Sequence, residues 1–360
     1  MTLPRVPLFA YDWAFLSLVL LINLIGLVTL FSAAPSQGVW VQQVLFFPVA
    51  IVAALVIQAF SRRQVLGWAL PLYGVSLVML VLVLAIGREI NGAKAWFDLG
   101  PVGFQPSEIA KIALVLLLAR VLATRTLERP LDYVLPGLIA APVLGLVFIQ
   151  PDLGGTLVLL AGVVGMLFVR GMPLWHIGLA VVLVAALLPT VIWPNLNEYQ
   201  RNRVEILFDL NQDPRGQGFQ QIQSTIAIGS GGLFGKGFGE GTQTQLGFVP
   251  ERQTDFIYSV LSEEWGFVGA VSLLVLYALL FFRMGRMITE CVRLEDRLVI
   301  AGILSMLTFQ VMVNIAVTLG IAPVTGLTLP LMSKGGSSLL MVYIGLGIAI
   351  LLHRDRYREM

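Results

Sequence analysis

Long apolar runs constrain the fold of this sequence more than any other feature. Ten runs each hold about 20 mostly apolar residues, which is the length that an α-helix needs to cross a bilayer. They lie near residues 12–32, 39–60, 65–87, 107–123, 132–149, 154–170, 173–192, 260–282, 297–319 and 336–352. The sequence therefore predicts an all-α polytopic integral membrane protein with about ten transmembrane helices. We expect the first run to be a retained helix rather than a signal peptide.

Composition agrees with a membrane protein and narrows the chemistry. The 360 residues are 57% hydrophobic and 12% charged, and soluble domains carry roughly twice that charged fraction. A net charge of +2 gives no reason to expect nucleic acid as a partner. The single cysteine, Cys291, excludes an internal disulfide, and His176 and His353 lie far apart and show no zinc-site spacing.

The distribution of basic residues predicts the orientation of the helices. An even number of spans puts both termini on one side of the membrane. Fourteen arginines fall in the segments on that side, against four basic residues in or beside the short segments of the other side. By the positive-inside rule both termini are cytoplasmic, and the reverse orientation is the alternative. The sequence thus predicts one transmembrane domain over residues 1–360, with a long extracytoplasmic loop at 193–255.

Two short motifs place charged residues at the predicted outer ends of spans. In PSEIAK, Ser107 is a candidate N-cap, and Glu108 and Lys111 fall on one helix face. This pair either steadies the helix as an interfacial ion pair or lines a cavity in which the lysine is available to a ligand. In QPDLGG, Asp152 either caps a helix or reaches Lys111 across the bundle.

The long outer loop holds a glycine-rich run and several cations. Residues 228–247 fail the P-loop pattern, but a glycine-rich segment with one lysine, Lys236, can bind pyrophosphate through its backbone N–H groups. The alternative is a re-entrant or surface loop in which glycine permits tight turns. Arg201 and Arg203 accompany a short amphipathic helix predicted near 204–208, and they bind substrate or lie among lipid headgroups.

Asp255 lies between polar residues and the apolar start of the eighth predicted span. A carboxylate at such a boundary loses hydration, which makes it a better proton acceptor and a candidate general base. Thr254 or Asp255 can equally serve as the N-cap of the helix that follows. Residue chemistry alone leaves capping and catalysis open.

Several of these motifs together resemble the SEDS family of shape, elongation, division and sporulation proteins. They occur in the family's order over most of the chain, and a short N-terminus with ERQTDF favours the elongation branch over the division branch. The segments that carry the resemblance are FQPSEIAK, QPDLGGT, YQRNRV, QSTIAIGSGGLFGKGFGEGTQTQLGFVPERQTDFIYSVLSEEWGFVG and PLMSKGGSS. Two positions depart from the pattern, since Gln253 stands where the family usually has histidine and Lys334 where it usually has tyrosine.

The resemblance implies a peptidoglycan glycosyltransferase in the bacterial plasma membrane. Such an enzyme polymerises lipid II into β-1,4-linked glycan strands at the extracytoplasmic face, for cell-wall elongation and rod shape. The resemblance also implies that Asp255 is the essential acid, which we interpret as the general base. It further implies a divalent metal ion, magnesium or manganese, although no cluster in the sequence identifies its ligands.

The charged and polar motifs described above supply the expected binding residues, and the resemblance adds expected partners. Residues expected to bind substrate or pyrophosphate, or to line the cavity, are Glu108, Lys111, Asp152, Arg201, Arg203, Lys236, Glu251, Arg252 and Thr254. Expected partners are lipid II and the growing strand, membrane lipid, a class B penicillin-binding protein with transpeptidase activity, and other elongation-complex proteins. A lipid II flippase is the main alternative and a pure scaffold a further one. The small number of charges deep in the spans argues against the flippase.

Overall fold

The chain folds into a bundle of long helices with polar loops at their ends. The computed structural model describes residues 11–34, 38–90, 93–98, 103–187, 189–190, 193–195, 201, 205 and 216–356. The helices are α1 (Trp13–Ala33), α2 (Val39–Gln58), α3 (Arg62–Gly67), α4 (Ala69–Ile86), α5 (Pro106–Ala123), α6 (Val134–Ile149), α7 (Leu153–Arg170), α8 (Leu174–Leu187), α9 (Trp193–Asn195), α10 (Gln217–Ser230), α11 (Thr242–Gln245), α12 (Ile257–Glu290), α13 (Leu294–Thr318) and α14 (Gly336–Asp355), with a 3-10 turn at Pro130–Tyr133.

Eight helical segments of the described chain are long and apolar enough to cross a membrane: α1, α2, α4, α6 together with the 3-10 turn before it (Leu131–Ile149), α7, α12, α13 and α14. Two predicted spans fall short of that criterion: α5 carries three charged residues, and α8 has 14 residues. A continuous helix satisfies its own backbone polar groups, which hydrocarbon requires. The chain is therefore a mostly helical, multi-pass membrane protein, as predicted. Its orientation stays a prediction.

Among the eight candidate spans, α13 and α14 are the most buried. Within their most apolar windows 61% and 67% of the residues are buried, against 11% for α2. α13 packs against α5 and α7, and α14 packs against α2. Small residues allow this approach: a Cβ on Gly347 of α14 would lie 3.2 Å from the Cα of Ala54 in α2. The two helices therefore lie near the centre of the bundle.

A small antiparallel sheet, which the sequence analysis does not predict, lies between α4 and α5. Its strands are β1 (Arg88–Ile90), β2 (Ala93–Asp98) and β3 (Gly103–Phe104), in that order. Arg88 pairs with Trp96, and Phe97 pairs with Phe104. The pairing satisfies part of the backbone of a loop that leaves the helical layer.

The starts of two helices test the predicted caps. α5 begins at Pro106 with Gln105 as its N-cap residue, so the prediction of Ser107 as the N-cap is wrong. Proline suits the first helical position, because its fixed φ is helical and its missing N–H would have no partner there. Asp152 caps α7 as predicted, since its Oδ1 accepts a hydrogen bond from the N–H of Gly155 at 2.7 Å.

α12 is broken at Gly266, and the glycine-rich loop fills the break. Gly266 has φ 67° and ψ −164°, a backbone conformation that suits glycine. Four backbone hydrogen bonds join loop and helix: Lys236 N to Glu263 O at 3.0 Å, Gly237 N to Glu264 O at 3.0 Å, Phe267 N to Gly232 O at 2.8 Å and Val268 N to Leu233 O at 3.1 Å. The groups that the break frees are thereby satisfied.

The described part of the long loop between α8 and α12 packs on the bundle. Within it, α10 contacts the end of α13: Gln221 Nε2 donates to Ala322 O at 2.7 Å, and the Ser224 hydroxyl donates to Thr318 O at 2.8 Å. The amphipathic helix predicted near 204–208 lies outside the described residues except for Glu205. α10 thus packs against α12 and α13.

Candidate active site

Asp255 lies half-buried in the turn that precedes α12. α12 begins at Ile257 with Phe256 as its N-cap residue, and that residue makes no side-chain capping bond. The alternative in which Thr254 or Asp255 is the N-cap is therefore wrong. The hydroxyl of Thr254 donates instead to Glu251 Oε2 at 3.0 Å, within the turn. Asp255 thus lies two residues before the helix and outside its N-cap position.

Two buried side chains fix the backbone at Asp255. Asn314 of α13 donates from Nδ2 to Asp255 O at 2.9 Å and to Leu327 O at 2.7 Å. The hydroxyl of Ser333 donates to Thr254 O at 2.6 Å. Asn314 and Ser333 were not among the predicted site residues. The sequence signal for Asn314 is an amide in an otherwise apolar span, where a polar side chain usually faces the protein interior.

Arg252 and Glu264 connect this region to the end of α1. Arg252 Nε donates to Ala33 O at 2.6 Å, and burial lowers the pKa of its guanidinium through desolvation. The Ser32 hydroxyl donates to Glu264, and Gln245 Nε2 donates to Ser32 O at 2.9 Å. The described contact of Arg252 therefore supports a role in holding the turn against α1.

The two departures from the family pattern lie in contact with each other. The backbone N–H of Lys334 donates to Gln253 O at 2.9 Å. This bond uses main-chain atoms, so it does not depend on either side chain. It places position 334, half-buried, directly beside the turn that carries Asp255.

Glu108 and Lys111 form an ion pair in a cleft between α5, α13 and α14. Lys111 Nζ lies 2.8 Å from Glu108 Oε1, and the two side chains are only 12% and 9% exposed. The other residues that line the cleft are mostly apolar: Ile112, Val115, Ile303, Met306, Leu307, Gln310, Met341, Val342 and Gly345. The prediction that this pair lines a cavity is supported, and the same geometry serves an ion pair that steadies α5.

α13 links this cleft to Asp255. Gln310 lines the cleft, and Asn314, one helical turn further along α13, binds the carbonyl of Asp255. One turn rises about 5.4 Å. The structure therefore brings Glu108, Lys111, Thr254 and Asp255 into one region at one end of the bundle.

Asp152 borders the same region through α7. Gln105 Nε2, at the start of α5, donates to Asp152 Oδ2 at 3.0 Å. A Cβ on Gly154 would lie 2.7 Å from Thr325 O, so the start of α7 packs closely on the loop before α14. The contacts described for Asp152 are thus a cap and a bond that ties α5 to α7, which favours the capping alternative.

Lys236 belongs to a different cluster, built around Glu263. The carboxylate of Glu263 has no exposed surface. It lies 2.7 Å from Lys236 Nζ and accepts hydrogen bonds from the N–H groups of Gln243 and Thr244. Lys236 also donates to Thr242 Oγ1 at 2.7 Å. Because the ammonium and several loop N–H groups have partners in the protein, the structure favours the tight-turn alternative over a pyrophosphate site.

We therefore expect Lys236→Met to destabilise the glycine-rich loop. Leaving a buried charged acceptor without its cation costs roughly 1–3 kcal/mol or more. The measurement is thermal unfolding in detergent, in which the single variant should have a lower Tm. The double variant Lys236→Met with Glu263→Gln should recover part of that loss, since no buried charge remains. An unchanged Tm together with lost substrate binding would instead assign Lys236 to the substrate.

Two arginines of the long loop, Arg201 and Arg203, are predicted to bind pyrophosphate. Arg201 donates from Nε to Trp193 O at 3.0 Å and from Nη2 to Pro194 O at 2.6 Å, so its guanidinium binds the carbonyls of α9. Arg203 lies outside the described residues. The predicted role of either residue in binding pyrophosphate stays a prediction.

A metal site built from protein side chains is not found among the described residues. They contain no group of three or more His, Cys, Asp or Glu side chains placed to hold a metal ion. Glu251, the acidic residue nearest to Asp255 in sequence, accepts a hydrogen bond from the Thr254 hydroxyl. The described side chains therefore do not fit a metal centre held by protein alone.

Comparison with known proteins relates this site to a family. The family model of the FtsW, RodA and SpoVE cell cycle proteins matches residues 5–358. The peptidoglycan glycosyltransferase MrdB of Escherichia coli strain K12 is 44% identical over 308 residues, which cover 85% of this chain and 83% of MrdB. The stage V sporulation protein E of Bacillus subtilis strain 168 is 34% identical over 368 residues, which cover 96% of this chain and 97% of that protein.

Solved structures share the fold over nearly the whole chain. A chain of a peptidoglycan synthase complex, studied for its coordination of polymerization and crosslinking, matches with a TM-score of 0.86 at 50% identity, covering 97% of this chain and 99% of that one. The rod shape determining protein RodA of Thermus thermophilus matches with a TM-score of 0.76 at 44% identity, covering 97% and 99%. Its D255A mutant matches with a TM-score of 0.75 at 45% identity, covering 96% and 98%.

Proposed function

This chain belongs to the family of FtsW, RodA and SpoVE cell cycle proteins, and we infer that it is a peptidoglycan glycosyltransferase like its relative MrdB. A shared fold alone does not determine activity, so the site has to support the inference. The observation that carries it is the position of Asp255. Its backbone is fixed by Asn314, one helical turn beyond a cleft that holds the buried pair Glu108 and Lys111.

We propose that the substrate is lipid II, a disaccharide-pentapeptide on undecaprenyl pyrophosphate. Two properties of the cleft support this choice. Its apolar walls on α5, α13 and α14 suit a polyprenyl chain. Lys111 lies within it as a cation with which a pyrophosphate can pair. The cleft would thus accept the anion and the adjoining part of the polyprenyl chain of one molecule.

In the proposed reaction, Asp255 acts as the general base. Its carboxylate takes the proton from the 4-hydroxyl of the acceptor N-acetylglucosamine, and that oxygen attacks C1 of the donor N-acetylmuramic acid. The bond between C1 and the pyrophosphate oxygen breaks as the new bond forms, so undecaprenyl pyrophosphate leaves with the bonding electrons. A single displacement converts the α-linked donor into a β-1,4 linkage. General-base assistance is typically worth 10²–10⁴-fold in rate.

The leaving pyrophosphate gains negative charge as the bond breaks and requires compensation. Among the candidate cations, Lys111 is best situated, because it lines the cleft together with Gln310, one turn of α13 from the residue that binds Asp255 O. Glu108 holds its ammonium at 2.8 Å, which orients the lysine before substrate binds. Lys236 does not take this role in the proposal, because its ammonium is paired with Glu263.

The face of the membrane and the partners follow from the same proposal. The disaccharide of lipid II is polymerised outside the cytoplasm, which agrees with the orientation predicted from the arginines. A protein 50% identical to this chain takes part in a peptidoglycan synthase complex. We propose that this chain likewise acts with a class B penicillin-binding protein, and that its active site lies on the extracytoplasmic face.

A polymerisation assay tests this function against the flippase alternative. The purified protein, alone and with its penicillin-binding protein, is reconstituted in liposomes with fluorescent lipid II. We expect glycan strands that a muramidase cuts, because that enzyme cleaves β-1,4 bonds. Translocation of lipid II between leaflets without any strands, measured by quenching of the outer leaflet, would contradict the glycosyltransferase and support the flippase.

In this proposal a divalent metal ion is held largely by the pyrophosphate oxygens of the substrate. Magnesium is usually bound through one or two carboxylates together with phosphate oxygens, and the described side chains offer no larger cluster. We expect EDTA to lower polymerisation roughly tenfold or more, with recovery on adding Mg²⁺ or Mn²⁺. Calorimetry should show no tight binding of either ion to the substrate-free protein. Tight stoichiometric binding there would contradict this view.

A further inference from the structure

The loop between α13 and α14 is held by side chains rather than by regular secondary structure. We call residues 327–335 the support loop. Polar side chains from α1, α2, α12 and α13 donate to its backbone carbonyls: Asn23 to Leu331 O at 3.0 Å, Gln43 to Ser333 O at 3.1 Å, Tyr277 to Pro330 O, Gln310 to Thr328 O at 2.9 Å and Asn314 to Leu327 O at 2.7 Å. These bonds satisfy irregular backbone within a membrane protein and fix its path.

The support loop contains a residue with a side chain in a left-handed backbone conformation, which is energetically unfavourable. Leu331 has φ 69°, a left-handed value that costs a residue with a side chain of order 1–3 kcal/mol. Asn23 binds the carbonyl of this residue. α1 approaches closely at the same point, because a Cβ on Gly26 would lie 2.6 Å from the Cα of Met332. A strained backbone conformation persists only where contacts with the surrounding structure stabilise it. Such conformations are concentrated at functional sites.

The support loop and α13 bind three consecutive carbonyls of the turn that carries Asp255. Lys334 N donates to Gln253 O at 2.9 Å, the Ser333 hydroxyl to Thr254 O at 2.6 Å and Asn314 Nδ2 to Asp255 O at 2.9 Å. Ser333 is itself fixed, since its oxygen accepts the N–H of Leu329 at 2.8 Å. Two of these three bonds come from side chains and can be removed by substitution.

We propose that Asn314 and Ser333 are positioning residues for the transfer reaction. They hold the main chain of Thr254 and Asp255, and through it they set where the carboxylate meets the acceptor hydroxyl. This proposal rests on the proposed function of Asp255 as general base. Both residues are buried, Asn314 being 1% exposed and Ser333 6%, and they act through Asp255. A misplacement of about 1 Å at a reacting group can cost about 10²-fold in rate.

The test compares variants that remove one side-chain donor each with matched controls. Asn314→Leu and Ser333→Ala remove the donors to Asp255 and Thr254. Gln58→Leu is the control for the amide: Gln58 Nε2 donates to Gly347 O at 2.7 Å, and its buried Oε1, like Asn314 Oδ1, has no hydrogen-bond partner among the described residues. Ser224→Ala is the control for the hydroxyl, which binds Thr318 O.

We expect kcat for lipid II polymerisation to fall roughly 10- to 100-fold in Asn314→Leu and Ser333→Ala, with KM within about twofold of wild type. Both controls should keep kcat and KM. Ser333→Thr retains the hydroxyl and should restore most of the kcat that Ser333→Ala loses. Thermal unfolding is measured for each variant, and if Asn314→Leu does not fold, the comparison of Ser333→Ala with Ser333→Thr decides.

Including Asp255→Ala in the same assay separates the two ideas. If that variant is inactive while Asn314→Leu and Ser333→Ala have the kcat of wild type, the positioning role is overturned and the proposed function stands. A raised KM with unchanged kcat in these two variants also overturns it, since it indicates substrate binding. If Asp255→Ala still polymerises lipid II, the general base and its positioning residues are overturned together.

Discussion

Replacing Asp255 with alanine is expected to abolish polymerisation of lipid II while leaving the protein folded. The carboxylate is the proposed acceptor of the proton from the attacking hydroxyl. A base free in solution is a much poorer catalyst than a carboxylate held within hydrogen-bonding distance of that hydroxyl. The expected loss is therefore about 10²–10⁴-fold, which brings the rate to the limit of most gel assays. Folding should survive, because the backbone of the turn is held by Asn314 and Ser333 and not by the carboxylate of Asp255 alone.

The control for Asp255→Ala is another carboxylate at the same end of the bundle. Asp98, in β2, lies on the surface, where it pairs with Arg88 at 3.1 Å. An exposed pair of this kind contributes little to stability, so Asp98→Asn should retain the rate of wild type within about twofold. Strands of normal length and amount from folded Asp255→Ala would show that another group accepts the proton.

Lys111→Met is expected to cost at least about 10²-fold in rate, which is the usual effect of removing one group that stabilises developing charge. The single variant cannot distinguish a loss of catalysis from a loss of stability. It leaves the carboxylate of Glu108 without its cation in the cleft, where that side chain is 9% exposed. Breaking a buried ion pair by removing one partner can cost about 3–5 kcal/mol of stability. The fold and the activity would then be lost together.

The double variant Lys111→Met with Glu108→Gln separates the two roles. It leaves no buried charge, so we expect the Tm to return towards that of wild type while the rate stays low. If polymerisation returns together with the Tm, the pair is only a structural ion pair. The matched control is Arg283→Met with Asp12→Asn, which neutralises a partly buried pair 3.1 Å apart. That control should polymerise lipid II normally.

Much of the fold could be predicted from hydropathy, but the ends of the elements could not. The predicted spans at 12–32, 39–60 and 336–352 correspond to α1, α2 and α14, because lipid demands long apolar helices. The predicted span at 260–282 covers only part of α12. Backbone hydrogen bonds to residues 232–237 stabilise α12 on both sides of the break at Gly266. Such bonds leave no periodic pattern in the sequence, so the start of α12 could not be predicted.

The candidate site shows a similar division between local and distant contacts. The pairing of Glu108 with Lys111 could be expected from their spacing on one helix. The support of Asp255 could not, because Asn314 and Ser333 are 59 and 79 residues away from the residues they bind. Lys236 illustrates the converse. Its neighbours in sequence suggest a phosphate loop, whereas its charge is paired with Glu263, 27 residues further along the chain.

The break at Gly266 divides α12 into a short portion and a long portion, and only the long portion has to cross the hydrocarbon of the bilayer. The helix runs over 34 residues, and a continuous helix of that size would be about 51 Å long, well beyond the roughly 30 Å of hydrocarbon. The portion after the break is by itself long enough to cross. It can therefore tilt to suit a thicker or thinner bilayer, as transmembrane helices do. The short portion before the break follows directly from Asp255, whose carbonyl is bound by Asn314 of α13, so a change in tilt of the crossing portion is not transmitted to the proposed base along one continuous helix.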